Sequence, residues 1–122
     1  MARILIVDDN QSVRNTLRRM LESESYEIHE AIDGEEGLQL YQEISPDLVI
    51  TDFKMPGMDG AELIGKIRDV GPDAKIILVT GGYLDMLGEG VEADLKVQKP
   101  FDVDELLQTV EEFLTLPEGP VE

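Results

Sequence analysis

The chain alternates between short aliphatic runs and longer stretches of helical spacing. Ile4-Leu5-Ile6-Val7 is a continuous apolar run, β-branched at three of four positions, as a strand buried on both faces requires. Tyr26 to Ala31 mixes apolar with acidic positions and reads as a second, more exposed strand. Asp47 to Asp52, Lys75 to Thr80 and Leu95 to Gln98 supply three more. Between them, Val13, Leu17, Met20 and Leu21 predict a helix capped by Ser12. Asp33-Gly34 turns the chain into a weaker helix over Glu35 to Ile44, with Leu38 and Tyr41 inward and Pro46 closing it. Asp59 caps a third helix carrying Leu63, Ile64 and Ile67, which Gly71-Pro72 ends. Gly81 to Ala93 holds four glycines and only a short apolar set, which predicts a fourth helix that is short or mobile. Asp102 and Glu105 open the last helix, whose stripe is Val103, Leu106, Leu107, Val110, Phe113 and Leu114.

Five strands alternating with five helical stretches define an α/β fold, a parallel sheet covered on both faces. Right-handed crossovers bring every strand's carboxyl end to one edge, where open sheets bind ligands. Asp8 and Asp9, Asp52, Thr80 and Lys99 each lie at or just past the end of a different strand. One domain spans residues 1–116 and a tail spans 117–122, with no internal repeat or linker.

The length of 122 residues suits a single core, and a 42% hydrophobic content argues for a globular chain. No apolar run approaches the roughly 18 residues that cross a membrane. The N-terminus lacks a signal-peptide pattern, and cysteine is absent, so a cytoplasmic address is the expectation. The net charge of -17 opposes binding to nucleic acid or anionic lipid and favours cations and protein surfaces as partners.

The stretch Leu48 to Gly57 concentrates the chemistry. An apolar run ends in Asp52, and Pro56-Gly57 stops the strand from continuing, so one carboxylate is exposed at a tip fixed from below. Such a side chain serves as a nucleophile, a metal ligand, or both. Three carboxylates brought together cannot all stay ionised without a compensating charge. A hard divalent cation supplies it, and the ligand set suits Mg²⁺. Lys99 adds an ammonium and Thr80 a hydroxyl. Cation, ammonium and hydroxyl match the three equatorial oxygens of a phosphoryl group in transfer. Asp52 stands where attack would give an aspartyl phosphate.

These residues carry a resemblance. Asp8-Asp9, Asp52 followed by Met55-Pro56-Gly57-Met58-Asp59-Gly60, Thr80-Gly81 and Lys99-Pro100-Phe101 resemble the receiver domain of two-component response regulators, over about Ile4 to Leu114. The resemblance implies a doubly wound, CheY-like sheet of order 2-1-3-4-5. It implies that Asp52 accepts a phosphoryl group from a histidine kinase or phosphotransfer protein. Asp9 and Asp52 would ligate Mg²⁺, with Asp8 acting alongside them and the Lys54 backbone carbonyl as a further ligand. Thr80 would be the switch hydroxyl, Lys99 would pair with the phosphate, and Lys99-Pro100 would be a cis peptide. The chain would regulate a downstream protein and catalyse only its own phosphoryl transfer and autodephosphorylation. It departs from the family pattern twice. Lys96 replaces the aromatic residue usual three positions before the lysine, with Tyr83 the nearest aromatic, and the stretch from Thr80 to Lys99 is about one helical turn short.

Other readings compete. Arg14, Arg18 and Arg19 are either a solvated, ion-paired face or a kinase-docking strip. His29, the sole histidine, falls away from the acidic cluster and reads as an ordinary surface residue. A Mg²⁺-dependent phosphatase would need a second aspartate two residues after its nucleophile, whereas Phe53-Lys54 follow Asp52 and Asp9-Asn10 follow Asp8. A flavin-phosphate binder would not place two acids in its first loop. A receiver that works as a phosphorylation-independent interaction module is the reading that Lys96 and the short fourth helix motivate.

Overall fold

A computed structural model describes residues 2–22, 24–81 and 93–115. Strands β1 (Arg3–Val7), β2 (Glu27–Ala31), β3 (Leu48–Asp52), β4 (Ile76–Thr80) and β5 (Leu95–Gln98) form one parallel sheet of order β2-β1-β3-β4-β5. Four helices accompany them among the described residues: α1 (Gln11–Glu22), α2 (Gly34–Ile44), α3 (Gly60–Val70) and α4 (Val103–Thr115). The helix expected between β4 and β5, Tyr83 and the C-terminal tail lie outside the described residues. No described helix is long and apolar enough to cross a membrane.

The unbroken aliphatic runs have a two-sided cause. Alternate strand residues point to opposite faces. Ile4, Ile6, Leu48, Ile50, Ile77 and Val79 pack on one face with Leu17, Met20 and Leu21 of α1 and with Leu106 and Val110 of α4. Leu5, Val7, Val49, Ile76 and Leu78 pack on the other with Leu63, Ile64 and Ile67 of α3. Each fully buried aliphatic side chain contributes about 1.5–3 kcal/mol of transfer free energy. The three central strands are thereby the rigid floor beneath the carboxyl edge of the sheet.

Helix starts are set by side-chain oxygens that accept orphan backbone N–H groups. Asp33, Asp59 and Asp102 accept from Glu36, Glu62 and Glu105 at 2.8, 2.8 and 3.0 Å. The start of α1 departs from the expectation. Asn10, not Ser12, accepts from the Val13 N–H at 3.2 Å, while Ser12 lies inside the helix and its carbonyl accepts from the Thr16 hydroxyl. With Asn10 as its cap, α1 starts two residues earlier, at Gln11, about half a turn longer and directly after the Asp8-Asp9 pair.

Helix α2 approaches the sheet through glycine. A Cβ on Gly37 would lie 2.9 Å from a Val7 methyl, and one on Gly34 would lie 2.8 Å from the Met58 Cβ. Leu38 and Tyr41 flank this contact, half-buried, as expected from their spacing. Gly60 opens α3 for the same reason. A Cβ there would sit 2.8 Å from the Phe53 Cα and closer still to the Asp52 carbonyl.

Candidate functional site

The carboxyl edge of the sheet gathers the expected residues. Asp8 follows β1, Asp52 ends β3, Thr80 ends β4, and Lys99 follows β5. Asp8, Asp9 and Asp52 each offer one carboxylate oxygen within 4.8 Å of the others. The Lys99 ammonium reaches into this group, 3.1 Å from Asp8 Oδ2 and 3.5 Å from Asp52 Oδ1. Its backbone N–H donates to the Thr80 carbonyl at 2.6 Å, which ties the loop after β5 to the end of β4. Lys99-Pro100 is cis. Thr80 is 2% exposed. Lys54 lies two residues past Asp52 in the exposed loop that leads to Asp59.

The three acids are held differently. Asp8 is 2% exposed, and its Oδ1 accepts the Asn10 N–H at 2.8 Å. Asp52 is 8% exposed, and its Oδ1 accepts the Phe53 N–H at 2.9 Å. Asp9 is exposed at the rim. Asn10 and Phe53 were not singled out in the sequence. Their contribution is a backbone N–H, which no residue type advertises.

Burial pushes the Asp52 carboxyl above the ordinary carboxylate range, and the neighbouring Asp8 charge pushes it further. Lys99 and the Phe53 N–H pull it part of the way back. A carboxyl whose folded pKa is raised stabilises the fold only while protonated, so this contribution is lost as pH rises through the raised value. At neutral pH the ionised Asp52 therefore weighs against the metal-free fold. We expect Asp52→Asn to stabilise the metal-free protein on the order of 1 kcal/mol, a rise of ~4 °C in Tm. The difference should shrink towards acid, near the ordinary carboxylate pKa of about 4. Melting both chains in chelator across pH checks this. A variant less stable than wild type at neutral pH would contradict it.

Three carboxylates face one ammonium, so the cluster keeps an excess of negative charge in a half-buried crevice. All donors are hard oxygens, and the set fits a divalent cation of the Mg²⁺ kind. Outside the cluster the expectations divide. His29 pairs with Glu27 at 2.9 Å on the edge strand β2, as an ordinary surface residue does. Arg14 and Arg18 both bond Glu30 of β2, and Arg18 also bonds Glu22. Those two arginines are ion-paired, while Arg19 is exposed. Lys96 lies on β5 opposite Leu78 of β4, half-buried and away from the acids.

A doubly wound sheet of this order, with acids, threonine and lysine gathered at its carboxyl edge, is the arrangement expected of a receiver domain. The family model "Response regulator receiver domain" matches residues 4–111, and the chain belongs to that family, the receiver domains of two-component response regulators. It is 37% identical over 117 residues to sporulation initiation phosphotransferase F of Bacillus subtilis, covering 93% of this chain and 94% of that protein. It is 38% identical to part of the sensor kinase CckA of Brucella abortus, where the match covers 93% of this chain but only 12% of the kinase. Among solved structures, the response regulator TrrA of Thermotoga maritima, in complex with Mg²⁺ and BeF, superposes with a TM-score of 0.85 at 43% identity, over 93% of this chain and 99% of that one.

Proposed function

We propose that this receiver takes a phosphoryl group onto Asp52 from a phosphohistidine of a kinase or phosphotransfer protein, in a Mg²⁺-dependent reaction. The observation that carries the reading is the shared contact of Lys99 with Asp8 and Asp52 inside a three-carboxylate cluster. A carboxylate oxygen of Asp52 attacks phosphorus, the phosphorus–nitrogen bond breaks, and its electron pair returns to the donor imidazole. Asp8, Asp9, Asp52 and the Lys54 carbonyl would hold the cation. When bound, Mg²⁺ supplies positive charge to the phosphoryl oxygens. Lys99 adds a fixed positive charge at the same place, and Thr80 offers its hydroxyl from the neighbouring strand end. The buried floor of β1, β3 and β4 keeps these groups from moving apart as charge develops.

The Phe53 and Lys54 side chains that follow Asp52 provide no acid to protonate an alcohol leaving group. The chain accordingly catalyses only its own phosphorylation and dephosphorylation, and it does not turn over external esters. Its product is a changed charge at the sheet edge that biases the surface met by a protein partner in the cytoplasm. That it is similar to most of a small phosphotransferase, and to a short part of a sensor kinase, supports a module that either stands alone or serves within a larger protein.

A second reading has one observation in its favour. Lys96, not an aromatic residue, occupies the β5 position beside Leu78, so the usual aromatic coupling element is missing. On that reading the receiver binds its partner regardless of phosphate. Amide NMR with Mg²⁺ and beryllofluoride separates the two. The phosphorylation reading expects shifts at Asp52, Thr80 and Lys99 that extend to Lys96. Shifts confined to the acids would favour the second reading.

A further inference from the structure

We propose that Arg14 is a positioning residue for the cation site, holding the peptide between Asp8 and Asp9 so that the Asp9 carboxylate stays in reach of the other two. The proposal rests on the metal-assisted reading above.

Of the three acids, Asp8 and Asp52 are gripped by Lys99 and by neighbouring N–H groups. The Asp9 carboxylate has no such partner among the described residues, although it lies within 4.8 Å of both. Its place is therefore set by its backbone. The preceding peptide plane is fixed at its oxygen. One Arg14 guanidinium nitrogen, Nη1, donates to the Asp8 carbonyl at 2.8 Å. The same guanidinium is anchored in turn, because Nε bonds Glu30 Oε1 at 3.2 Å. The second oxygen of Glu30 takes the Arg18 Nε at 2.5 Å, and Arg18 also donates to the Ile28 carbonyl. Thus α1, the end of β1 and the edge strand β2 are joined through one arginine whose side chain is only 13% exposed. A planar guanidinium makes both contacts at once with little freedom left, which an ammonium cannot do.

Charge and position predict opposite signs. Removing a nearby cation should by itself tighten the binding of another cation by an acidic site. Losing the hold on the Asp8–Asp9 peptide should weaken it, as loss of groups that orient metal ligands does, by about tenfold. We therefore expect Arg14→Ala to raise the Mg²⁺ Kd of the folded full chain about tenfold. Arg14→Lys should recover part of that loss. Glu30→Gln, which leaves the arginine but loosens it, should weaken binding by less than Arg14→Ala. Mg²⁺ titrations followed by calorimetry or amide shifts read all three. Arg14→Ala with wild-type or tighter Mg²⁺ binding overturns the proposal, even where its melting temperature has fallen. Should that variant not fold, Arg14→Lys and Glu30→Gln decide, and wild-type affinity in both overturns it. A wild-type chain that binds no Mg²⁺ instead overturns the phosphoacceptor reading, and this proposal with it.

Discussion

Asp52→Asn is expected to abolish phosphate uptake from a small acyl phosphate, measured by intact-protein mass spectrometry. The amide is nearly isosteric with the carboxylate and keeps an oxygen for the Phe53 N–H, so the fold survives. What disappears is the nucleophile. Asp8 is buried and held at both of its oxygens, by Asn10 and Lys99, so it is poorly placed to take over. Asp9 is exposed and freer, and labelling that persists at a wild-type rate in the variant would sink the assignment of Asp52. The same substitution should stabilise the metal-free protein. Loss of function with gain of stability is the expected mark of a charge kept for chemistry rather than for folding.

Lys99→Ala should slow phosphoryl uptake by roughly 10²–10³-fold, the usual cost of removing one fixed donor aimed at developing negative charge. Its effect on Mg²⁺ should be small or of opposite sign. Lys99 lies 3.1 Å from Asp8 and 3.5 Å from Asp52, so it competes with a metal for the same oxygens. Beryllofluoride should also provoke weaker amide shifts at Thr80 in the variant, because the Lys99 backbone is bonded to the Thr80 carbonyl and its ammonium would no longer report the phosphate. Uptake kinetics and Mg²⁺ titrations on the same preparation check this. If weakened Mg²⁺ binding were the main loss, Lys99 would be a support for the metal site and not a phosphate partner.

The sheet was readable because β1, β3 and β4 are buried on both faces, which forces nearly continuous aliphatic runs. Their ends were readable because each run stops at a polar residue. Once the strands are parallel, Asp8, Asp52, Thr80 and Lys99 must share an edge. Finer features were not readable for identifiable reasons. Asp9, Asn10 and Ser12 are all able to cap a helix, and only the position of α1 behind β1 selects Asn10. Gly34 and Gly37 look like helix weakeners in sequence, yet they are where α2 meets Met58 and Val7. The Arg18 pair with Glu22 follows helical spacing, whereas the Arg14 pair with Glu30 spans a strand and a helix and needs the fold to be seen. The departure at Lys96 was visible at once, and the expected fifth strand holds it in register opposite Leu78.

The most direct measurement locates the phosphoryl group itself. Borohydride reduces an acyl phosphate to the alcohol, so an aspartyl phosphate becomes homoserine and can be mapped by peptide mass spectrometry. After exposure to a phosphodonor, homoserine should form at position 52 alone, and only when Mg²⁺ is present. Homoserine at position 8 or 9, or equal labelling of Asp52 in chelator, would contradict the account.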